Sequence, residues 1–283
     1  MSEYNIKANA KINLSLDIVS KRENGYHNLK MIMHTVNLCD DIILSENSAG
    51  EYSLKTNLKY LPNDGRNILY KAYKAFYDEV KIKPQGFSVN LIKRIPVCAG
   101  LGGGSSDAAA ELLFLNKYHN NPLDIPSLLK VGERVGADVP FCIMGGTCLA
   151  EGTGEILTPL PPLPECPIII LKPQNKGLST KDIFSKVNIG EIKYHPDTDG
   201  IIKALNEGDL SGIAKRMYNV LEDYSVPESP DIEEFKQALI MEGAIGSLMS
   251  GSGNAVFGLF NDTETAKKAL KSLKKLTPLA YLV

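Results

Sequence analysis

Between Ile95 and Leu112 the chain reads IPVCAGLGGGSSDAAAEL, with four glycines and two serines in the nine residues from Cys98 to Ser106. A plain turn needs fewer such residues; a loop that wraps its backbone around a ligand needs several. The alternating run before the loop predicts a strand, and the alanine-rich run after it predicts a helix from about Ser105 to Tyr118. Glycines at that junction let backbone N–H groups turn toward one point, and the helix start adds unpaired amides and roughly half a positive charge. This chemistry suits an anion, above all a phosphate chain. Side chains at Gly102, Gly103 or Gly104 would obstruct its approach, while Ser105 and Ser106 can offer hydroxyls to phosphate or to a metal ion. Two common fingerprints are excluded: no lysine follows the glycines as GxxxxGK[ST] requires, and GxGxxG begun at Gly100 ends on Ser105. A flexible loop with a serine N-cap is the competing reading; the strand before the loop and the helix directly after it favour a phosphate cradle.

Two carboxylates stand near this chemistry. Asp107 lies in the first turn after the glycine loop, where complementing the helix dipole is its expected role. Asp138, in GADVP, reads by itself as a helix or turn cap. Lys11 and Asn13 lie on the strand face opposite Ile12 and Leu14, and a lysine there reads by itself as solvated. Tyr26 and His27 are adjacent in a turn, and Phe184 reads by itself as helix core. Gly251, Ser252 and Gly253 form a second glycine turn.

The elements that must position these residues alternate in type. IKANAKINLSLDIV predicts a strand with Ile12, Leu14, Leu16 and Ile18 on one face, and KRENGYHNL a turn. KMIMHTVNL, DDIILSE and EYSLKTN predict further strands. NDGRNILYKAYKAFYDEV is helical, with Asn67 at its opening, and GFSVNLIKRIP is a strand leading into the glycine loop. IPSLLKVGERV predicts a helix and PFCIMGGTCLAEG a pair of strands. After the proline-rich TPLPPLPECP come a buried-type strand IIILKP and helices around 180–187, 199–222 and 231–242. The strand-turn of GSLMSGSGNAVFGLF, an amphipathic helix TETAKKALKSLKKL and a last strand LAYLV follow. The class is α+β, with domains expected at 1–160 and 161–283.

The composition bounds the partners. A net charge of -2 over 283 residues gives no reason to expect nucleic acid or an acidic membrane surface. The five cysteines include no CxxC pair and are not spaced with the four histidines as metal ligands. Reduced thiols, and an amino terminus without an apolar signal region, point to a cytoplasmic protein.

Four segments together resemble the GHMP kinases: KANAKINLSLDI, PVCAGLGGGSSDAAA, GADVPFCIMGGT and LMSGSGNAVFGLF. The resemblance spans nearly the whole chain in order. It implies a two-domain fold, with an amino-terminal domain like ribosomal protein S5 domain 2 and a ferredoxin-like carboxy-terminal domain. It implies transfer of the ATP γ-phosphate to an alcohol, with ATP and Mg²⁺ as cofactors. Asp138 then matches the catalytic base and Lys11 its partner. Pro96, Val97, Cys98, Ala99, Gly100, Leu101, Gly102, Gly103, Gly104, Ser105 and Ser106 match the phosphate loop, and Asn67 is placed near the adenine.

The segment AKINLSLDIVSKRENGYHNLKMIMHTVNLCDDI is similar to a narrower branch of the family. That branch phosphorylates the 2-hydroxyl of a cytidine-diphosphate-linked methylerythritol in the non-mevalonate isoprenoid pathway. By this resemblance Tyr26 and Phe184 stack on cytosine and His27 makes a polar contact with it. Asn13, Thr180, Gly251, Ser252 and Gly253 contribute to the substrate site. Metal ligands are not assigned, Ser105 and Glu151 being candidates. The expected partner is a small molecule, with no nucleic acid, no membrane, and a monomer or weak homodimer. Another GHMP kinase acting on homoserine or phosphomevalonate, a diphosphomevalonate decarboxylase and a non-enzymatic ATP-binding module are the alternatives.

Overall fold

The computed structural model describes residues 2–174 and 177–283. The chain forms two compact units. The first takes the chain up to Ala10, Asn37–Ile95 and Gly102–Met144; the second takes Lys11–Val36, Pro96–Leu101 and Gly145–Val283.

The elements met first along the chain are β1 (Glu3–Lys21), β2 (His27–Glu46), β3 (Ser53–Thr56), α1 (Ile68–Val80), β4 (Phe87–Ile92), α2 (Gly103–Tyr118), α3 (Ile125–Val135) and α4 (Val139–Met144). The two expected strands after Gly25 are thus one, β2, since nothing in KMIMHTVNLCDDIILSE breaks an extended backbone. The first unit has the sheet order β3-β4-β2-β1, with β3 parallel to β4 and β4 antiparallel to β2. Ile42, Leu44, Phe87 and Val89 from these strands bury against Leu69, Phe76, Leu112, Leu115, Leu128 and Val131 from the helices, as their strand and helix spacings require. Two helix starts are marked by a side chain: Asn67 caps α1 through Leu69 N, and Asp124 caps α3 through Ser127 N.

The expected strand over PFCIM is instead α4. Its apolar residues Val139, Pro140, Phe141 and Ile143 are buried, and a short apolar run of this kind does not distinguish helix from strand.

The second unit continues with β5 (Thr147–Gly152), β6 (Ile156–Leu160), β7 (Ile168–Leu171), α5 (Thr180–Lys186), α6 (Thr198–Glu207), α7 (Leu210–Ala214), β8 (Tyr218–Asn219), α8 (Glu222–Ser225), α9 (Asp231–Met241), β9 (Gly246–Met249), β10 (Val256–Leu259), α10 (Thr263–Leu273) and β11 (Ala280–Leu282). The proline-rich connector begins as a strand, β6, paired antiparallel with β5. The helix expected over 199–222 is broken into α6, α7 and the start of α8. Gly208, at a left-handed φ of 67°, ends α6, and Asp209 caps α7 through Gly212 N.

One sheet of this unit runs β6-β5-β2-β1-β8, with β8 parallel to β1. The other is antiparallel in the order β11-β7-β10-β9. Helices lie between β7 and β9 and between β10 and β11, which is the βαββαβ arrangement of a ferredoxin-like domain. Strand β7 is buried along its whole length, as the uninterrupted IIIL requires.

Candidate active site

The glycine loop is built on alternate handedness. Cys98, Gly100 and Gly102 have left-handed φ values of 53°, 75° and 67°, while Ala99 and Leu101 between them do not. That alternation turns successive N–H groups toward one side, as in an anion-binding nest. Helix α2 opens two residues earlier than its composition suggests, at Gly103, and its N-cap Gly102 supplies no side-chain hydrogen bond. The first-turn amides therefore have no side-chain cap from that residue. Glycine is required at 100: a Cβ there would lie 1.9 Å from the Ser250 carbonyl oxygen. Pro96 and Val97 enter the loop partly exposed, Cys98 is exposed, and Ala99 and Leu101 are buried. Gly104 is exposed and Ser105 partly buried. Ser106 is buried, and its hydroxyl donates to the Asn9 carbonyl at 2.6 Å.

Behind the start of α2 lies a buried polar cluster that the sequence reading missed. Lys93 Nζ donates to Asp40 Oδ2 and to Asp107 Oδ2, the latter at 2.7 Å. Asp40 Oδ1 also accepts from the backbone N–H groups of Arg94 and Ile95. Glu111, one turn beyond Asp107, accepts from the Tyr52 hydroxyl at 3.0 Å. Burial pushes the Asp107 carboxyl up to about 8, with Lys93 opposing the shift and Asp40 reinforcing it. Burial likewise holds Glu111 far above the usual carboxylate range.

Asp107 therefore does not cap the helix dipole. The early helix start puts it past the first turn, facing Lys93. The signal was present: the β4 alternation, carried two residues past Leu91, sets Lys93 on the core face with Phe87 and Val89.

Lys11 is 4 % exposed, so it is no solvated lysine. From Ala10 to Leu16 every residue of β1 is buried; both strand faces are covered, and polar residues on the second face are held inside. Lys11 Nζ donates to Asn13 Oδ1 at 2.6 Å, and Lys11 N donates to the Leu101 carbonyl at 3.0 Å. The second glycine turn lies at the same place. A Cβ on Gly251 would stand 3.4 Å from Lys11 Nζ and 3.1 Å from the Gly100 carbonyl oxygen. Ser252 Oγ lies 2.8 Å from Thr180 Oγ1, which opens α5.

One turn further along α5, Phe184 is partly buried, and its ring is 5.5 Å from that of His27 at an interplanar angle of 35°. His27 is buried, its Nε2 has no hydrogen-bond partner among the described residues, and burial, then the charge of Lys21, lower its pKa. Tyr26 is 65 % exposed. Asp138 is partly buried immediately before α4, and its backbone carbonyl accepts from Cys142 N at 3.1 Å. The Asn67 amide donates to the Pro62 carbonyl while it caps α1.

Comparison with known proteins bears directly on these features. Residues 67–146 match the family model described as GHMP kinases N terminal domain, and residues 201–278 match GHMP kinases C terminal. The chain belongs to the GHMP kinases. The phosphate loop and Asp138 fall inside the first match, and the glycine turn at 251–253 inside the second.

Among GHMP kinases, a 4-diphosphocytidyl-2-C-methyl-D-erythritol kinase of Lachnoclostridium phytofermentans is 44% identical over 274 residues, covering 97% of this chain and 94% of its own. A protein of the same name from Clostridium perfringens is 44% identical over 95% of this chain and 93% of its own. A crystal structure of 4-(cytidine 5'-diphospho)-2C-methyl-D-erythritol kinase superposes with a TM-score of 0.82 at 31% identity, covering 99% of this chain and 98% of the other. Homoserine kinase from Cytophaga hutchinsonii shares the fold at 21% identity, with a TM-score of 0.76 over 100% of this chain and 94% of its own. Membership in this kinase family implies ATP as the phosphoryl donor. Among the described residues no helix is long and apolar enough to cross a membrane.

Proposed function

We propose that the chain transfers the γ-phosphoryl group of ATP to the 2-hydroxyl of 4-diphosphocytidyl-2-C-methyl-D-erythritol, a step of the non-mevalonate route to isoprenoid precursors. The observation that carries this reading is the His27–Phe184 ring pair, in which the buried His27 Nε2 has no hydrogen-bond partner among the described residues. A ring offers a stacking face to any base; a buried unpaired nitrogen offers polar selection among bases. The names of the relatives support the same substrate. Tyr26, exposed at the turn, is free to fold over the base.

In this reading the nest from Cys98 to Gly102 and the opening amides of α2 hold the triphosphate. Asp138 accepts the hydroxyl proton, and the buried Lys11 ammonium offsets charge developing on the transferred group. Asn13 fixes that ammonium through the 2.6 Å hydrogen bond, so the cation needs little reorganisation when the reaction occurs. Thr180, Gly251, Ser252 and Gly253 contribute to the substrate site, and Asn67 to the adenine side.

Mg²⁺ would accompany ATP. Among the described residues no group of three or more His, Cys, Asp or Glu is disposed to hold a metal ion. The ion would be carried by the phosphates and one or two side chains, for which Ser105 and Glu151 are the candidates. A working division of the chain near residue 160, a cytoplasmic location and a monomer or weak homodimer belong to the same proposal.

An ADP-release assay over 4-diphosphocytidyl-2-C-methyl-D-erythritol, mevalonate and homoserine tests the reading. Turnover of the cytidine substrate well above the other two is expected. Preference for either of the others overturns the substrate, and carbon dioxide with free phosphate from diphosphomevalonate would make the chain a decarboxylase.

A further inference from the structure

The glycine turn at 251–253 is held from outside, by the end of β8, the parallel partner of β1, and the segment that follows it. Asn219 is 1 % exposed. Its Nδ2 group donates to the Met249 carbonyl at 2.9 Å and to the Gly251 carbonyl at 2.8 Å, using both N–H groups. Its Oδ1 accepts from Leu221 N at 3.0 Å. These three bonds fix the orientation of the amide, because a flipped amide would set its oxygen against two carbonyls and its N–H groups against the Leu221 N–H. The residue is anchored by the pairing of Leu16 with Asn219 and by Val220 N donating to the Leu16 carbonyl at 3.0 Å. Two neighbours complete the hold: Glu222 accepts from Met249 N at 2.7 Å, and the Ser225 hydroxyl donates to the Ser252 carbonyl at 3.3 Å.

On its other side the same turn meets the groups assigned to the reaction. The Ser250 hydroxyl donates to the Gly100 carbonyl at 2.9 Å, and Ala255 N donates to the Ala99 carbonyl at 3.1 Å. At Gly251, whose carbonyl Asn219 holds, an added Cβ would stand 3.1 Å from the Gly100 carbonyl oxygen and 3.4 Å from Lys11 Nζ, so the turn lies beside both. A shift of the turn is therefore carried to Ala99 and Gly100 through the Ser250 and Ala255 hydrogen bonds, and so to the loop whose Leu101 carbonyl accepts from Lys11 N.

We propose that Asn219 is a positioning residue for phosphoryl transfer, clamping the Met249 and Gly251 carbonyls so that the glycine turn seats against Ala99, Gly100 and Lys11. The inference rests on the reading that this turn and loop serve ATP-dependent transfer.

The test uses Asn219→Asp, which keeps the shape but sets an acceptor against two acceptors, and Asn219→Ser, which keeps one donor. Ile232→Val, a packing change in the core of α9, is the control for lost stability alone. The readouts are kcat, KM for each substrate, melting temperature, and calorimetric affinity for a non-hydrolysable ATP analogue and for cytidine 5'-diphosphate. Leaving buried carbonyls unpaired should cost Asn219→Asp about tenfold or more in kcat and in analogue affinity. Affinity for cytidine diphosphate should fall less than affinity for the ATP analogue, and Asn219→Ser should fall between. A folded Asn219→Asp that loses melting temperature like the control but keeps kcat and analogue affinity overturns the proposal. Should Asn219→Asp not fold, the same criteria apply to Asn219→Ser. If the wild type releases no ADP with the cytidine substrate while Asn219→Asp still loses the ATP analogue, the proposed reaction fails and the positioning role stands.

Discussion

Asp138→Asn should retain ATP binding and lose roughly 10²–10⁴-fold in turnover, the usual contribution of a positioned base. Lys11→Met should be comparably damaging, and the double variant little worse than either single one if the two act as a unit. Single-turnover kinetics check both; near-normal turnover of Asp138→Asn would make it a cap and nothing more. Phe184→Ala should raise KM for the cytidine substrate by roughly 5- to 150-fold, the equivalent of ~1–3 kcal/mol of stacking, with kcat nearly constant. A fall in melting temperature with KM unchanged would return Phe184 to the core. His27→Ala should narrow the preference for the cytidine substrate over its uridine analogue, since stacking by itself accepts any base. At this scale the sequence was legible for Lys11 and Asn13 only in part. Alternation put them on the face away from Ile12, but it could not say that this face too is buried. That depends on partners distant in sequence.

Helix α2 shows what local pattern can and cannot carry. The glycine run, the strand before it and the helix after it were all readable. The start at Gly103 was not, because a serine N-cap at the junction was an equally good local solution. The early start carries Asp107 round to Lys93 and changes which glycine is the informative one to substitute. A Cβ on Gly103 would lie 2.9 Å from the Ile95 side chain and 3.2 Å from Lys93 Nζ, so Gly103→Val would strain the buried cluster. The nearest atom to a Cβ on Gly104 is the Ile68 side chain at 3.8 Å. Gly104→Val should therefore fold with a melting temperature close to wild type and lose affinity for a non-hydrolysable ATP analogue in calorimetry. Unchanged affinity would mean that the loop does not cradle the nucleotide. PFCIM failed as a strand for a related reason: its run is apolar throughout, and only the packing of α4 decides its period.

Across the whole molecule, buried groups set opposing responses of stability to pH. His34 pairs with the Thr147 hydroxyl at 2.8 Å, and burial lowers its pKa from 6.5 to about 4. Its contribution is present above 6.5 and lost as pH falls through about 4. Asp107 is raised from 3.8 to about 8, so its contribution is present below about 3.8 and lost as pH rises through about 8. The two slopes oppose each other between about 4 and 6.5. From 6.5 to 8 the buried carboxyls Asp107 and Glu111 act without His34, and stability should decline there by about 1.4 kcal/mol per pH unit for each carboxyl still protonated in the native state. Urea unfolding at pH 5 to 8.5 checks this. Asp107→Asn should lessen the decline above 6.5, Glu111 still contributing, and His34→Gln should extend it downward toward pH 4. A wild-type curve that rises from 6.5 to 8 would mean that Asp107 is ionised in the native protein throughout. None of this was legible beforehand, since both shifts come from burial that the chain acquires only on folding.

The exposed thiol in the phosphate loop gives the molecule a reporter. Of the five cysteines, Cys98 alone is exposed, and it stands at a left-handed turn beside the nest. A small maleimide or a cyanylating reagent should mark it first under native conditions. Bound nucleotide should slow that labelling, and a thiocyanate at Cys98 would register the field of the arriving triphosphate as a shift in its nitrile stretch. Occupancy of the cradle could then be read optically, without any turnover and with no acceptor alcohol present.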